Sequence, residues 1–216
     1  NNNFYACGSH AMISAATVTS KSSYVYIQNN IFSYGCSVSS DPNVCNAIFS
    51  LGDHYLIENN DISHMGGGIG YNGNYNVFRN NTMHHTSDSD CGSNSSNCHI
   101  DFIESEPYVA TQYNIIEGNT LLYNLGKDSH AYLSQGDVCN GQCHNLIIRH
   151  NVGAHVGSYG ILDNLGGFFN VKSYNNDWID FNNSSSKLYG HTNAFSNNST
   201  NGAEINDLFY YPDSLV

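Results

Sequence analysis

The clearest pattern in the chain is a short phrase of apolar and polar residues that recurs along its length. In each copy two apolar residues precede a polar stretch that ends in Asn, and another apolar residue usually follows. The clear copies read YIQNNI from Tyr26, LIENNDI from Leu56, VFRNNTM from Val77, IIEGNTL from Ile115 and IIRHNV from Ile147, with looser copies at Val171 and Ala194. The Asn residues are about 21 to about 38 positions apart, so a unit of roughly 20 residues carries insertions of variable length, which is typical of a solenoid.

The alternation within each copy predicts short β-strands. Apolar and polar residues alternate with the period of a strand that has one buried face. The Asn lies where the chain has to turn, since Asn tolerates left-handed backbone angles and hydrogen-bonds its own backbone. Asn side chains at the same position of stacked coils can also bond to one another, so we expect an Asn ladder along the stack.

These repeats resemble those of right-handed parallel β-helix proteins, the pectate-lyase-like superfamily. The resemblance extends over nearly the whole of the 216 residues. It implies an all-β fold, a single-stranded right-handed parallel β-helix (a β-solenoid) of about seven to eight coils with disulfide-stapled loops. No stretch has helical periodicity with capping residues. We expect residues 1–216 to form a single domain, or to be a fragment of a longer secreted chain.

The cysteines indicate an oxidising compartment, because seven of them occur in a chain that is poor in Lys and rich in Asn. Three close pairs are predicted to form disulfides: Cys36 with Cys45, Cys91 with Cys98, and Cys139 with Cys143. Cys7 is left over, and a free thiol, a partner outside the chain and a different pairing all stay open. The sequence begins at Asn1 without Met or a signal peptide, so we expect a processed chain or a fragment with an extracellular or cell-surface location.

The charge balance limits the class of partner. The formal net charge is −12, from 18 acidic and 6 basic residues. This argues against nucleic acid, which needs a basic surface, and no apolar run is long enough to span a membrane. The expected partner is a polysaccharide: a neutral one is easily accommodated, whereas a polyanion needs a bridging cation such as Ca²⁺. No cofactor is certain; Asp88-Ser89-Asp90 is a candidate Ca²⁺ site, with a solvated turn as the simpler interpretation.

A column of aromatic rings is predicted by counting four residues on from each Asn. The residues at this position are Tyr34, His64, His85, Tyr123 and His155. In stacked coils their rings would be about 5 Å apart. The column is interpreted either as a ladder that stabilises the coils or as a substrate-binding surface for an extended glycan, because rings have flat apolar faces and polar edges. A His column that binds metal is a further alternative.

A candidate catalytic strand reads HIDFIE from His99. Period two places Ile100 and Phe102 in the core and turns His99, Asp101 and Ile103 outward. Outward polar residues of a strand are most often only solvated, so a structural interpretation stays beside the functional one.

Alignment of the next coil places His130 beside His99 and Tyr132 beside Asp101. A carboxylate can orient an imidazole and raise its basicity, and His titrates near neutral pH. We therefore expect His99, Asp101 and His130 to carry acid/base catalysis, with Tyr132 as a proton donor and His85 assisting. Two suitably spaced carboxylates would instead permit glycoside hydrolysis.

One column of charged residues has a simpler interpretation. Calcium-dependent pectate lyases use a basic residue to abstract a proton, and Arg79 and Arg149 align on the coils. Glu58 and Glu117 occupy the same column in neighbouring copies. The column therefore predicts cross-strand ion pairs.

Two functions follow from these features. The first is an extracellular carbohydrate-active enzyme, a polysaccharide lyase or a glycoside hydrolase, that binds an extended glycan along the helix. The second is a non-catalytic structural or adhesive β-helix of a surface fibre, filament or spike, since 16 Tyr and many Asn suit stacking and hydrogen bonding without catalysis. In the second case an exposed terminal coil would permit end-to-end self-association.

Overall fold

The computed structural model describes residues 2–5, 11–14, 22–35, 46–91, 100–105, 111–126, 129–135, 143–157, 159–164, 168–169, 171–181, 193–194, 203–205 and 208–210. The strands, in chain order, are β1 (Asn3–Tyr5), β2 (Ala11–Ser14), β3 (Ser22–Ser23), β4 (Tyr26–Gln28), β5 (Ile31–Ser33), β6 (Asn46–Asp53), β7 (Leu56–Glu58), β8 (Asp61–Ser63), β9 (Gly67–Asn72), β10 (Val77–Arg79), β11 (Thr82–Thr86), β12 (Ile100–Ser105), β13 (Ile115–Glu117), β14 (Thr120–Asn124), β15 (Ser129–Gln135), β16 (Cys143–His144), β17 (Ile147–Arg149), β18 (Val152–Val156), β19 (Tyr159–Asn164), β20 (Phe168–Phe169), β21 (Lys172–Tyr174), β22 (Asp177–Phe181), β23 (Asn193–Ala194), β24 (Ala203–Ile205) and β25 (Leu208–Tyr210). Within these ranges no helix has the length and hydropathy needed to cross a bilayer.

The strands form three parallel sheets, to which the chain adds strands in a repeating order. Sheet 1 runs β2-β6-β9-β12-β15-β19-β23, sheet 2 runs β4-β7-β10-β13-β17-β21-β24, and sheet 3 runs β1-β5-β8-β11-β14-β18-β22-β25. From β6 onward the chain passes from sheet 1 to sheet 2 to sheet 3 and back, and β16 and β20 form a separate parallel pair. The predicted all-β architecture is confirmed, and these parallel sheets are compatible with a β-solenoid.

The core lies between the three sheets. The short strands of sheets 2 and 3 bury their middle residue, as in β7, β10 and β8, which confirms the predicted alternation there. Sheet 1 contributes a column of Ile48, Ile69, Ile103 and Tyr132. Strands β9 and β12 are buried along their whole length, so the alternation does not extend to sheet 1.

A ladder of Asn side chains fixes the corner between sheets 2 and 3. In each step the side-chain Nδ2 and the main-chain N–H of one Asn donate to Oδ1 of the next at 2.9–3.3 Å. From the third member onward Nδ2 also donates to a backbone carbonyl of the preceding coil. The members are Asn2, Asn30, Asn60, Asn81, Asn119, Asn151 and Asn176. The predicted ladder is confirmed.

The left-handed turn falls on the residue before each ladder Asn. These residues have φ between 54° and 64° and are Asn29, Asn59, Asn80, Gly118, His150 and Asn175. We expected one Asn both to turn the chain and to form the ladder. The structure gives these roles to neighbouring positions, because the side chain at the turn points to solvent whereas a ladder amide must be buried to reach its partners.

The ion-pair column on the outer face of sheet 2 is confirmed. Arg79 Nε lies 2.5 Å from Glu58 Oε2, and Arg149 donates from Nε to Glu117 Oε2 at 2.8 Å. The hydrogen bond to Glu58, with its negative charge, raises the pKa of the Arg79 guanidinium. These two arginines are thus held by carboxylates of neighbouring coils, as cross-strand pairing predicts.

The predicted disulfide staples are not confirmed. Cys36, Cys45, Cys98 and Cys139, like Cys7, lie outside the described residues. Cys91 is buried and disulfide-bonded. No disulfide joins two residues of the described part of the chain, so the pairing scheme stays a prediction.

Candidate functional site

The predicted ring column is present at the corner between sheets 3 and 1. It consists of the five predicted residues preceded by Tyr5, and we call it ladder I. Its ring centroids are 4.5–6.3 Å apart, and apart from the tilted Tyr5–Tyr34 pair the planes lie within 10–29° of each other. The five predicted residues have φ between 50° and 56°, a region that is unusual for Tyr. The ladder thus stabilises a turn that these side chains would otherwise disfavour.

A second ladder, which the sequence analysis missed, lies at the corner between sheets 1 and 2. Ladder II consists of Tyr24, His54, Tyr75 and Tyr113, with centroids 4.6–5.1 Å apart and planes within 1–7°. These residues also have positive φ, between 58° and 62°. A sequence signal exists: an aromatic residue lies two positions before the first residue of four sheet 2 strands. Counting forward from the Asn residues does not reach it, because the intervening stretch varies in length.

Stacking in the ladders leaves the ring edges facing solvent. Neighbouring rings cover each other's faces, so a glycan alongside a ladder meets phenol hydroxyls and imidazole nitrogens. Ladder II ends at Tyr113. The residue at the same corner of the next coil is Asn145, which has the same left-handed backbone, with φ of 60°, but no aromatic ring. Among the described residues, one face of the Tyr113 ring is therefore covered by Tyr75 and the other by no aromatic ring.

A groove with a volume of about 320 Å³ lies beside this open ring face. It is lined by Tyr113, Ile115, Asn145, Ile147 and Lys172. The two Ile residues pair directly across β13 and β17, and Lys172 of β21 is next in the same outward column. The groove combines an aromatic face, aliphatic walls, an amide and an ammonium group, which are the usual components of a small-molecule site.

A polar cluster adjoins ladder I. His84 Nε2 donates to Asp61 Oδ1 at 2.8 Å, and the Nδ1 atoms of His84 and His85 are 2.8 Å apart. His64 Nδ1 lies 3.9 Å from Asp90 Oδ1. Burial raises the pKa of the Asp90 carboxyl, opposed by hydrogen bonds from Ser87 and by the charge of His64.

Asp90 is expected to make stability depend on pH. A carboxyl whose pKa is raised by folding keeps its proton to a higher pH in the folded state than in the unfolded state. Its contribution to the stability of the fold is therefore complete below the unfolded pKa and is lost as pH rises through the folded pKa. Asp90→Asn should therefore gain stability relative to the parent protein as pH rises above about 4. Urea unfolding of both proteins from pH 3.5 to 6.5 tests this, and a constant difference across that range would contradict it.

The carboxylate–imidazole pair of the candidate catalytic strand exists, in a different register from the expected one. Asp101 pairs with His130 across β12 and β15, and Ile103 pairs with Tyr132. His130 Nδ1 donates to Asp101 Oδ1 at 2.6 Å, and the side chains are 1% and 2% exposed. Asp101 Oδ2 is buried without a hydrogen-bond partner among the described residues.

Several expectations for this strand are corrected. Asp101 and Ile103 do not point to solvent, because all of β12 is buried. Tyr132 does not lie opposite Asp101. Its hydroxyl is 3.1 Å from the hydroxyl of Tyr71. Burial raises the pKa of Tyr71. The register was wrong because coils carry insertions of different length before sheet 1. His99 lies outside the described residues.

The described residues contain no group of three or more His, Cys, Asp or Glu placed to hold a metal ion. At the proposed Ca²⁺ stretch, Asp90 Oδ2 accepts hydrogen bonds from the Ser87 N–H at 2.8 Å and from its hydroxyl at 3.3 Å. These bonds are those of a turn, the simpler of the two interpretations. A Ca²⁺ ion at Asp88-Ser89-Asp90 stays a prediction.

Comparisons of the chain with protein-family models, curated proteins and solved structures find no match. The expected membership of the pectate-lyase-like superfamily therefore rests on the resemblance of the repeats alone.

Proposed function

We propose that this protein is a right-handed parallel β-helix of the pectate-lyase-like superfamily that binds an extended polysaccharide outside the cell. The observation that carries the proposal is the open face of Tyr113 beside the groove of about 320 Å³. Sugar C–H groups pack on an aromatic face while the hydroxyl groups bond to polar neighbours. The right hand follows from the strong preference of parallel crossover connections.

The outer face of sheet 2 gives the polysaccharide a path along the stack. The first residues of the sheet 2 strands form an outward, partly exposed aliphatic column that includes Leu56, Val77, Ile115 and Ile147. Ladder II runs beside this column and offers ring edges at every coil as far as Tyr113. Apolar and polar groups therefore alternate across a strip that follows the stacking direction, which suits an extended chain of sugars.

Affinity electrophoresis against neutral and acidic polysaccharides tests the proposal. The parent protein is expected to be retarded by at least one glycan, and Tyr113→Asn should weaken this binding about tenfold. Asn is chosen because it tolerates the positive φ of this position. The matched control is His54→Asn, since this ring has both faces covered by Tyr24 and Tyr75, does not touch Tyr113 and offers only its edge to the glycan, so that its loss should affect binding much less.

Other outcomes have distinct meanings. Loss of binding in Tyr123→Asn with retention in Tyr113→Asn would place the glycan on ladder I, where Tyr34, His64, His85, Tyr123 and His155 were predicted to bind substrate. No retardation by any polysaccharide would overturn glycan binding and favour a structural or adhesive fibre. Urea unfolding of each variant shows whether a change in binding reflects misfolding.

Lyase or hydrolase activity is a second candidate, favoured by the short Asp101–His130 pair. A carboxylate that orients an imidazole is an acid/base unit, and a buried carboxylate oxygen without a described partner calls for an explanation. Burial of both groups is the observation against it, because a catalytic acid or base must reach its substrate. New reducing ends with ultraviolet absorbance would show a lyase, reducing ends alone a hydrolase, and either activity should be abolished in Asp101→Asn.

A further inference from the structure

We infer that the groove at Tyr113 holds a single anionic sugar, bearing a carboxylate or a sulfate ester, within an otherwise neutral glycan. This inference rests on the proposed glycan binding and names the class of sugar. The two ends of the groove differ in chemistry. The Tyr113 end offers an aromatic face, and the Lys172 end offers a positive charge.

Of the Lys and Arg residues that the structure describes, Lys172 is the one whose charge is not already paired with a carboxylate. Arg79 and Arg149 are bound to Glu58 and Glu117 in the neighbouring coils. Lys172 is exposed and makes no ion pair with a described residue, although the chain carries a formal charge of −12. An ammonium group on a long flexible stem can follow an anionic substituent and donate up to three hydrogen bonds to it.

The coils are close enough together for one substituted sugar to contact both ends of the groove. Tyr113 and Ile115 belong to one coil, Asn145 and Ile147 to the next, and Lys172 to the third. Coils are about 4.8 Å apart, so the groove extends about 10 Å along the stack. A pyranose ring on Tyr113 therefore directs a charged substituent toward Lys172, past the polar side chain of Asn145.

The surrounding charge limits the ligand to one anionic group at this place. Beside the groove, Glu117 engages Arg149 through two nitrogens, so the adjacent column offers no second free cation. The strongly acidic chain repels a glycan that is charged at every unit. The structure thus favours a mostly neutral glycan over a polyanion.

The test measures the affinity of the full chain for four hexasaccharides by isothermal titration calorimetry. They are a neutral one, the same one with a single uronic acid, the same one with a single sulfate ester, and a homo-uronate. The singly charged ligands are expected to bind about tenfold tighter than the neutral one, as a charge-assisted hydrogen bond would produce. Added salt should reduce this preference.

Variants of Lys172 assign the preference to the groove. Lys172→Gln should bind charged and neutral hexasaccharides equally, whereas Lys172→Arg should keep the preference because it keeps the charge. Equal affinities for neutral and singly charged ligands in the parent protein, or tightest binding of the homo-uronate, would overturn the inference and leave glycan binding intact. Failure of all four ligands, together with silence of the polysaccharide panel, would overturn the proposed function itself.

Discussion

Asn81→Ala is expected to lower the free energy of unfolding by about 2–4 kcal/mol, because several buried polar groups of the neighbouring coils each lose a hydrogen-bond partner. The Asn81 side chain is fully buried, and its Oδ1 accepts from the main-chain N–H and Nδ2 of Asn60 at 3.1 and 3.0 Å. Its Nδ2 donates to the Ile57 carbonyl at 2.9 Å. Alanine can replace none of these bonds, and water has no access to the site.

The neighbouring residue provides a matched control. Asn80 has φ of 54° and is exposed, so Asn80→Gly keeps the turn and leaves the ladder intact. Urea unfolding should show a change of less than about 0.5 kcal/mol for Asn80→Gly. Equal effects of the two substitutions would show that the turn, and not the amide ladder, determines the stability of this corner.

Asp101→Ala is expected to lower the free energy of unfolding by about 3–5 kcal/mol, because it leaves the buried imidazole of His130 without the carboxylate that accepts its hydrogen bond. The hydrogen bond from His130 is 2.6 Å long, and both residues lie in the middle of sheet 1. Removing one member of a buried pair is costly even where the intact pair contributes little by itself. The measurement is again urea unfolding.

Ser105→Ala is the control on the same strand. The Ser105 hydroxyl is buried and has no hydrogen-bond partner among the described residues, so its removal should be nearly neutral. Asp101→Ala/His130→Ala should cost less than the sum of the two single variants if the two side chains are coupled. Additive losses would show that the pair contributes no specific interaction, and would also weaken its candidacy as an acid/base unit.

The part of each coil that follows the Asn could be predicted from the sequence. Strand, turn, ladder and ring lie within a few residues of one another, so counting from Asn60 or Asn81 reaches His64 and His85 correctly. The short spacing just before the Asn likewise predicted the alternation of Glu58, Arg79 and Glu117 along sheet 2.

The part that follows the ring could not be predicted in the same way. Between the ring and sheet 1 the coils carry insertions whose lengths differ, so a fixed count placed His130 opposite His99 when its actual neighbour is Asp101. Period two also failed for β12, because that rule assumes one face in solvent and this strand has none. The groove at Tyr113 depends on where ladder II ends, and this requires the register of every coil.

The Asn ladder gives the stack a direction. In every step the donor is the amide of the earlier coil and the acceptor is the oxygen of the later one, from Asn2 through to Asn176. Amide dipoles aligned in this way polarise one another, and the row is chemically unlike at its two ends. The stack continues beyond Asn176 into β24 and β25, so a further coil from another copy meets the row at Asn2, where it can only donate to Asn2 Oδ1. Any filament that continues this ladder is therefore polar, with every copy pointing the same way.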